Sequence, residues 1–261
     1  MKIQMLTENT SCREDLKAEH GLSMLIETGG KKILFDTGQT GLFAENADKL
    51  GARLEDVDFC VLSHGHYDHG GGLPAFFSRN ESAPVYCSSR AFGDFYNGQK
   101  YIGLDPELRG NPRFRSVSET TELLPGVTLI PGTKEPVYPV EAYGLSKEEN
   151  GQRIPDDFIH EQYLLIEENG KRILFSGCSH RGILNIMNWF SPDILIGGFH
   201  FKKLNPEGEG RQKLQSAAEI LRGYPTRYYT CHCTGTAQYM CMKEILGDRL
   251  SYLSAGDCLT F

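Results

Sequence analysis

The sequence predicts an α/β fold of two similar halves, each a β-sheet with helices on its outer face, stacked as a four-layer αββα sandwich. Three observations carry this expectation: an internal echo, helical periodicity after each copy, and short apolar runs that end in histidine-bearing loops. In chain order, Leu25-Ile26-Glu27-Thr28-Gly29-Gly30-Lys31-Lys32-Ile33-Leu34-Phe35 matches Leu165-Ile166-Glu167-Glu168-Asn169-Gly170-Lys171-Arg172-Ile173-Leu174-Phe175, eight identities in eleven at an offset of 140 residues. Each copy is a strand, a glycine turn and a second strand, the signature of a β-hairpin. A small-residue turn follows, Asp36-Thr37-Gly38 or Ser176-Gly177-Cys178, and then a segment of helical periodicity, Thr40–Leu50 or Arg181–Phe190. The echo continues in Asp58–Ser63 and Asp193–Gly198, both apolar enough to be buried strands. Two sheets, each covered by helices on its outer face, bury every one of these runs.

Between the halves, about Ser89 to Phe158, the composition changes. Tyr96, Tyr101, Phe114, Tyr138 and Tyr143 occur with Arg109, Arg113 and Arg115, broken by Asp105-Pro106, Asn111-Pro112 and Pro131-Gly132. A long irregular segment of this kind is usually functional or disordered, and its aromatic content argues against disorder. The expectation is one domain over 1–261 with a lid-like insertion at about 89–158; packing on an outer helix or a dimer contact is the competing reading.

Composition bounds the function. With 261 residues, 39% hydrophobic and 23% charged, the chain can bury a sizeable core, and it lacks the bias of fibrous or disordered proteins. No apolar run approaches the roughly 20 residues that span a bilayer, and Met1–Glu8 lacks the apolar stretch of a signal peptide, so a cytoplasmic protein without membrane contact is expected. A net charge of −7 disfavours non-specific binding to nucleic acid. The eight cysteines form no C-x-x-C pair and are expected to be reduced, mostly as small buried hydrophobes. Nothing in the composition indicates an oligomeric state.

The chemistry concentrates in Ser63-His64-Gly65-His66-Tyr67-Asp68-His69-Gly70-Gly71-Gly72, directly after an apolar strand. Three imidazoles and a carboxylate within six residues are costly to bury without a partner, and they match the nitrogen and oxygen ligands that zinc and related divalent ions take. His180, His200 and His232 each follow a strand-like run, where loops of an α/β fold build sites. The expected cofactor is one or two divalent ions, zinc in the first place, with manganese or iron compatible with the same ligands.

These motifs, with Leu34-Phe35-Asp36-Thr37-Gly38 before them, resemble the metallo-β-lactamase superfamily. More narrowly, Glu19-His20-Gly21-Leu22-Ser23, Ser176-Gly177-Cys178-Ser179-His180-Arg181-Gly182-Ile183, Gly197-Gly198-Phe199-His200 and His232-Cys233-Thr234-Gly235 resemble the branch containing the dihydropterin ribofuranosylaminobenzene 5′-phosphate synthase of methanopterin biosynthesis. The resemblance implies that His64 and His66 bind one metal, that Asp68, His69 and His232 bind another, and that Asp36 braces the metal loop. It departs from the superfamily at Cys178, where a metal-bridging aspartate commonly stands. His180 is the natural replacement ligand, with His160 and Cys178 as alternatives; Cys178 itself is expected near the metals but at most as a weak ligand.

The resulting expectation is a hydrolase that uses a metal-activated water, with Asp68 orienting it or accepting its proton, on a small anionic and phosphorylated substrate. Arg181, Lys202 and Lys203 are candidates to pair with the anion, and His20, Asp36, Cys178 and His200 to line or support the site. A pterin-synthase-type transferase releasing pyrophosphate, or a non-catalytic metal or ligand sensor, are the alternatives.

Overall fold

The repeated hairpin sets the architecture of the computed structural model, which describes residues 1–261. In chain order the strands are β1 Lys2–Thr7, β2 Ser23–Thr28, β3 Lys31–Phe35, β4 Phe59–Val61, β5 Val85–Ser88, β6 Asp94–Asn97, β7 Lys100–Tyr101, β8 Phe114–Val117 and β9 Thr121–Leu124. The rest are β10 Val127–Pro131, β11 Leu145–Glu149, β12 Gln152–Pro155, β13 Gln162–Glu168, β14 Lys171–Phe175, β15 Ile194–Ile196, β16 Arg227–Thr230, β17 Leu250–Tyr252 and β18 Cys258–Thr260. The α-helices are α1 Leu42–Leu50, α2 Tyr67–Gly70, α3 Leu73–Arg79, α4 Ile183–Phe190, α5 Gly208–Arg222 and α6 Thr236–Leu246.

The two hairpins pair in the same register, Ile26 opposite Ile33 and Ile166 opposite Ile173. Their two-residue turns, Gly29-Gly30 and Asn169-Gly170, hold positive φ at both positions. That is the turn geometry whose twist matches paired strands, and Gly and Asn reach it at the lowest cost. Each second strand then continues its sheet by parallel pairing, giving the orders β18-β1-β2-β3-β4-β5-β8 and β17-β16-β15-β14-β13-β10-β9. Read from β18 in the first sheet and from β9 in the second, both have three antiparallel pairings followed by three parallel ones.

Burial on both faces explains the near-continuous apolar runs of these strands. Met24, Ile26, Ile33 and Phe35 of one sheet meet Leu164, Ile166, Ile173 and Phe175 of the other in the central core, where the Phe35 and Phe175 rings lie 5.7 Å apart. The alternate residues Leu25 and Leu34 turn outward to Phe43 and Ala47 of α1, and Leu165 and Leu174 to Ile183, Ile186 and Met187 of α4. The expected αββα layering is therefore present, with α5 and α6 added to the outer layer of the second half.

The 89–158 segment is not one insertion. Residues 114–117 form an edge strand of the first sheet, and 121–131 supply β9 and β10 of the second. Val117, Val127 and Leu129 are buried in the central core, so apolar alternation too short to stand out among Gly and Pro outweighs the irregular composition. The flanking pieces come together as a separate four-stranded sheet, β12-β11-β6-β7, packed through Phe95, Ile102, Leu145 and Phe158. No helix is long and apolar enough to cross a membrane.

Candidate metal centre

The site forms where parallel strands of both sheets end. Asp36 follows β3, and the His64–His69 loop follows β4 and runs into α2; Cys178 and His180 follow β14, His200 follows β15 and His232 follows β16. The two halves approach closely at Gly177, whose φ is +60° and where any Cβ would collide with the Ser63 side chain.

Hydrogen bonds fix the ring tautomers. Asp36 is fully buried and accepts from the Ser63 amide, the Ser63 hydroxyl and His69 Nδ1, each at 2.7 Å. Because the Ser63 proton goes to Asp36, Ser63 Oγ accepts from His64 Nδ1 at 2.8 Å. Asn9 Oδ1 accepts from His232 Nδ1 at 2.8 Å. Each of these imidazoles therefore carries a proton on Nδ1 and turns Nε2 inward, the arrangement of metal-binding histidines held by outer partners.

The inward nitrogens crowd one another. His64 Nε2 faces His180 Nε2 at 3.3 Å, and His69 Nε2 faces His232 Nε2 at 3.3 Å and Cys178 Sγ at 3.1 Å. Asp68 Oδ2 lies 3.2 Å from His232 Nε2, 3.3 Å from His20 Nε2 and 3.9 Å from His69 Nε2. Facing lone pairs at such distances repel unless a proton or a cation lies between them. Burial and the surrounding imidazoles hold His64 and His180 well below the ordinary histidine value, which keeps their nitrogens free for a metal. At His69 burial opposes a positive charge, yet Asp36 and Asp68 outweigh it and push the ring up to about 9. Positive charge is thus favoured at the centre of the cluster.

The donor set fits a divalent metal. His64, Cys178 and His180 form one group whose ligand atoms all lie within 4.8 Å of each other, and His69, Cys178 and His232 form a second. Asp68 joins His64 and His69 in a third, and His20 and His232 in a fourth. Five of the six expected ligands, His64, Asp68, His69, His180 and His232, thus overlap in one place. His66 stands beside them, its ring 4.6 Å from His64 and 4.9 Å from His180, with a buried Nε2 that has no partner. Cys178 Sγ belongs to both histidine pairs and to a further group with His200 and Cys233.

His160 has no free nitrogen: Nδ1 accepts from the Gly65 amide at 3.1 Å, and Nε2 donates to Asp156 Oδ2 at 3.2 Å. It holds the metal loop in place. Arg181 corrects the expectation of an anion contact. Its guanidinium donates to the carbonyls of Asp157 at 2.8 Å and Lys134 at 2.6 Å, so it ties the connecting segment to α4.

Two supporting acids had no signal in the sequence. Glu8 Oε1 accepts from the His232 amide at 2.6 Å and from the Tyr252 hydroxyl at 2.7 Å. Glu161 accepts from the amides of His180 at 2.7 Å and Arg181 at 3.1 Å and from the Tyr163 hydroxyl at 2.8 Å. Burial pushes the Glu161 carboxyl up to about 7 despite those donors. Each acid fixes the backbone of one histidine loop, a role that depends on partners 19 and 224 residues away.

A cavity of about 420 Å³ opens onto the cluster, with Asp68, Cys178, His180 and His232 at its base and Lys100, Lys202 and Lys203 on its walls. Asn97, Ile102 and Leu145 from the four-stranded sheet complete it. The residues between the halves therefore do reach the cleft.

A fold of two helix-covered sheets with a histidine-rich centre at their strand ends defines a class, and the chain belongs to it: the pattern of the metallo-β-lactamase superfamily matches residues 16–221. Within that class it is 31% identical over 243 residues to the uncharacterized protein MJ0448 of Methanocaldococcus jannaschii, covering 89% of this chain and 90% of that one. It is 30% identical to the 7,8-dihydropterin-6-methyl-4-(β-D-ribofuranosyl)-aminobenzene-5′-phosphate synthase of the same organism, covering 100% and 97%. The crystal structure of Tm1679, described as a metal-dependent hydrolase of the β-lactamase superfamily, superposes with a TM-score of 0.83 at 29% identity, covering 100% and 99%.

The shared position of Cys178 leads to one expected result. A carboxylate has two oxygens with which to span two ions, so Cys178→Asp raises the metal-to-protein ratio measured by elemental analysis. An unchanged ratio would count against Cys178 standing at a bridge.

Proposed function

We propose that this protein is a metal-dependent hydrolase of a small phosphorylated molecule, using zinc or another divalent ion. The observation that supports it best is the convergence of inward-facing Nε2 atoms from His64, His69, His180 and His232 with Asp68, beside a cavity walled by lysines. A divalent ion at such a centre supplies a nucleophilic water at neutral pH by lowering its pKa from about 15.7 to roughly 7. His64, His69, His180 and His232 would hold the ion, with Cys178 beside both pairs. Burial would raise the Asp68 carboxyl, but His69 and His232 hold it well below the usual carboxylate range, so it stays ionised and can orient the water as a hydrogen-bond acceptor. Lys100 and Lys202 face the cavity as cationic partners for phosphate oxygens.

A second reading, a transferase that expels pyrophosphate while an arene carbon attacks in place of water, is favoured by the full-length similarity to the dihydropterin-linked synthase. One experiment separates them. Protein purified without chelator is assayed for bound metal, then for turnover of phosphate mono- and diesters with zinc, manganese and iron(II), and for pyrophosphate release with and without an arene acceptor. Metal-dependent ester hydrolysis is the expected result. Pyrophosphate release only with acceptor would replace hydrolase by transferase, and full metal occupancy with neither activity would point to a sensor.

A further inference from the structure

One wall of the metal-facing cavity comes from the four-stranded sheet, and it carries a side-chain pair that the metal centre does not use. β6 and β7 form a hairpin in which Tyr96 pairs with Tyr101 and Asn97 with Lys100. Gly98 in its turn has a φ of +60°, and the Gly98 carbonyl accepts from Arg153 Nη1 at 2.8 Å. The Arg153 guanidinium also lies 3.7 Å from the centre of the Tyr96 ring, so β12 braces the hairpin tip. The hairpin is tied to the metal loop as well: the Tyr67 amide, at the start of α2, donates to the Ile102 carbonyl at 2.9 Å, and His66 pairs with Gly103.

These contacts bring Lys100 Nζ to 2.9 Å from the Tyr67 hydroxyl and 4.3 Å from the centre of its ring. The half-buried ring packs on the apolar cluster of Phe95, Ile102, Leu145 and Phe158, which fixes its body while the residue lines the cavity. An ammonium can only donate, so Tyr67 Oη is the acceptor in this bond and its own proton is left over. Tyr67 is the one hydroxyl-bearing side chain among those lining the cavity. A neutral donor polarised by an adjacent cation suits an oxygen on which negative charge grows during reaction.

We propose that the Tyr67 hydroxyl, positioned by Lys100, donates a hydrogen bond to the leaving-group oxygen of the substrate and so sets which esters are cleaved. The statement rests on the hydrolase function proposed above. As the water oxygen bonds to phosphorus, the bond from phosphorus to the leaving oxygen breaks and its electron pair stays on that oxygen. Tyr67 stabilises the charge there and keeps its proton, and solvent protonates the departing alcohol. A 4-nitrophenolate spreads this charge into its own ring, whereas an alkoxide concentrates it on oxygen. The donor therefore matters most when an aliphatic alcohol leaves.

The test uses the metal-loaded full chain and paired 4-nitrophenyl and n-propyl esters, each as the phosphate monoester and as the methylphosphonate monoester, a diester mimic with one leaving group. Tyr67→Phe is expected to lower kcat on the propyl esters by about 100-fold and to leave that on the 4-nitrophenyl esters nearly unchanged. KM, the metal-to-protein ratio and the thermal midpoint stay as they were. Lys100→Ala is expected to raise KM for both leaving groups by the same factor, as a phosphate partner is lost, and to lower kcat on the propyl esters alone. Lys100→Arg, which can donate to the same hydroxyl, restores that kcat. An equal fall on both leaving groups in Tyr67→Phe, a fall on neither, or cleavage of only the 4-nitrophenyl esters by the unaltered protein would overturn the proposal and leave the hydrolase reading standing. A propyl-selective loss in Tyr67→Phe with none in Lys100→Ala would support the donor and overturn the role of Lys100. Cleavage of no ester at all would overturn the hydrolase reading, and this proposal with it.

Discussion

His69→Ala is expected to abolish metal-dependent turnover and to lower metal affinity by more than the roughly 10–100-fold that loss of a ligand's outer partner costs. His69 sits at the centre of the cluster, with Nε2 3.1 Å from Cys178 Sγ, 3.3 Å from His232 Nε2 and 3.9 Å from Asp68 Oδ2. Its removal takes a nitrogen from two of the ligand groups at once. It also leaves Asp36 and Asp68 without the buried imidazole whose positive charge they favour. Equilibrium dialysis against zinc gives the affinity, and the ester assay gives the turnover. His160→Ala is the comparison: its nitrogens are engaged with Gly65 and Asp156, so its metal stoichiometry is expected to stay intact even where affinity declines. Equal stoichiometry and affinity in His69→Ala and the unaltered protein would remove His69 from the ligand set.

Asp36→Ala is expected to cost about 3–5 kcal/mol of stability, the range found when one partner of a buried charged network is removed. For a chain of this size that corresponds to a fall of about 10 °C in thermal midpoint. Three donors converge on this carboxylate, and none has water to turn to, because Asp36, Ser63 and His69 are all fully buried. The loss propagates to the metal: without Asp36 the Ser63 hydroxyl no longer has a fixed acceptor, and the tautomers of both His64 and His69 are released. Metal affinity should fall together with the midpoint. Asp36→Asn keeps the volume but replaces one acceptor oxygen by a donor, so one of the three contacts breaks and an intermediate midpoint is expected. A midpoint within about 1 kcal/mol equivalent of the unaltered protein in Asp36→Ala would show that the network contributes little.

The legible parts of this protein are those in which cause and consequence lie close together in the chain. The hairpin at 25–35 and its copy at 165–175 carry their turn residues and both strands within eleven positions, so register and layer follow from local pattern. The His64–His69 motif likewise encodes its chemistry within one loop. His180 and His232 were recognisable because each follows an apolar strand, and strand ends are where such sheets gather their sites.

The remaining assignments depended on contacts between distant residues, and local pattern carries no trace of those. Val127 and Leu129 belong to the central core because β10 pairs with β13, although their Gly- and Pro-rich surroundings resemble a loop. Arg181 has the charge for an anion contact, but the carbonyls of Asp157 and Lys134 take its guanidinium away from the cavity. Glu8 and Glu161 are single acids without a motif; only the packing of the halves brings the amides of His232 and His180 to them. The sequence by itself determined the doubled hairpin, the layered sheets and the metal-binding chemistry, since periodicity and ligand type are local properties. The tertiary structure decided which imidazole nitrogens are bare, because a tautomer is set by the partner across the fold, and a buried donor must find that partner or destabilise the chain.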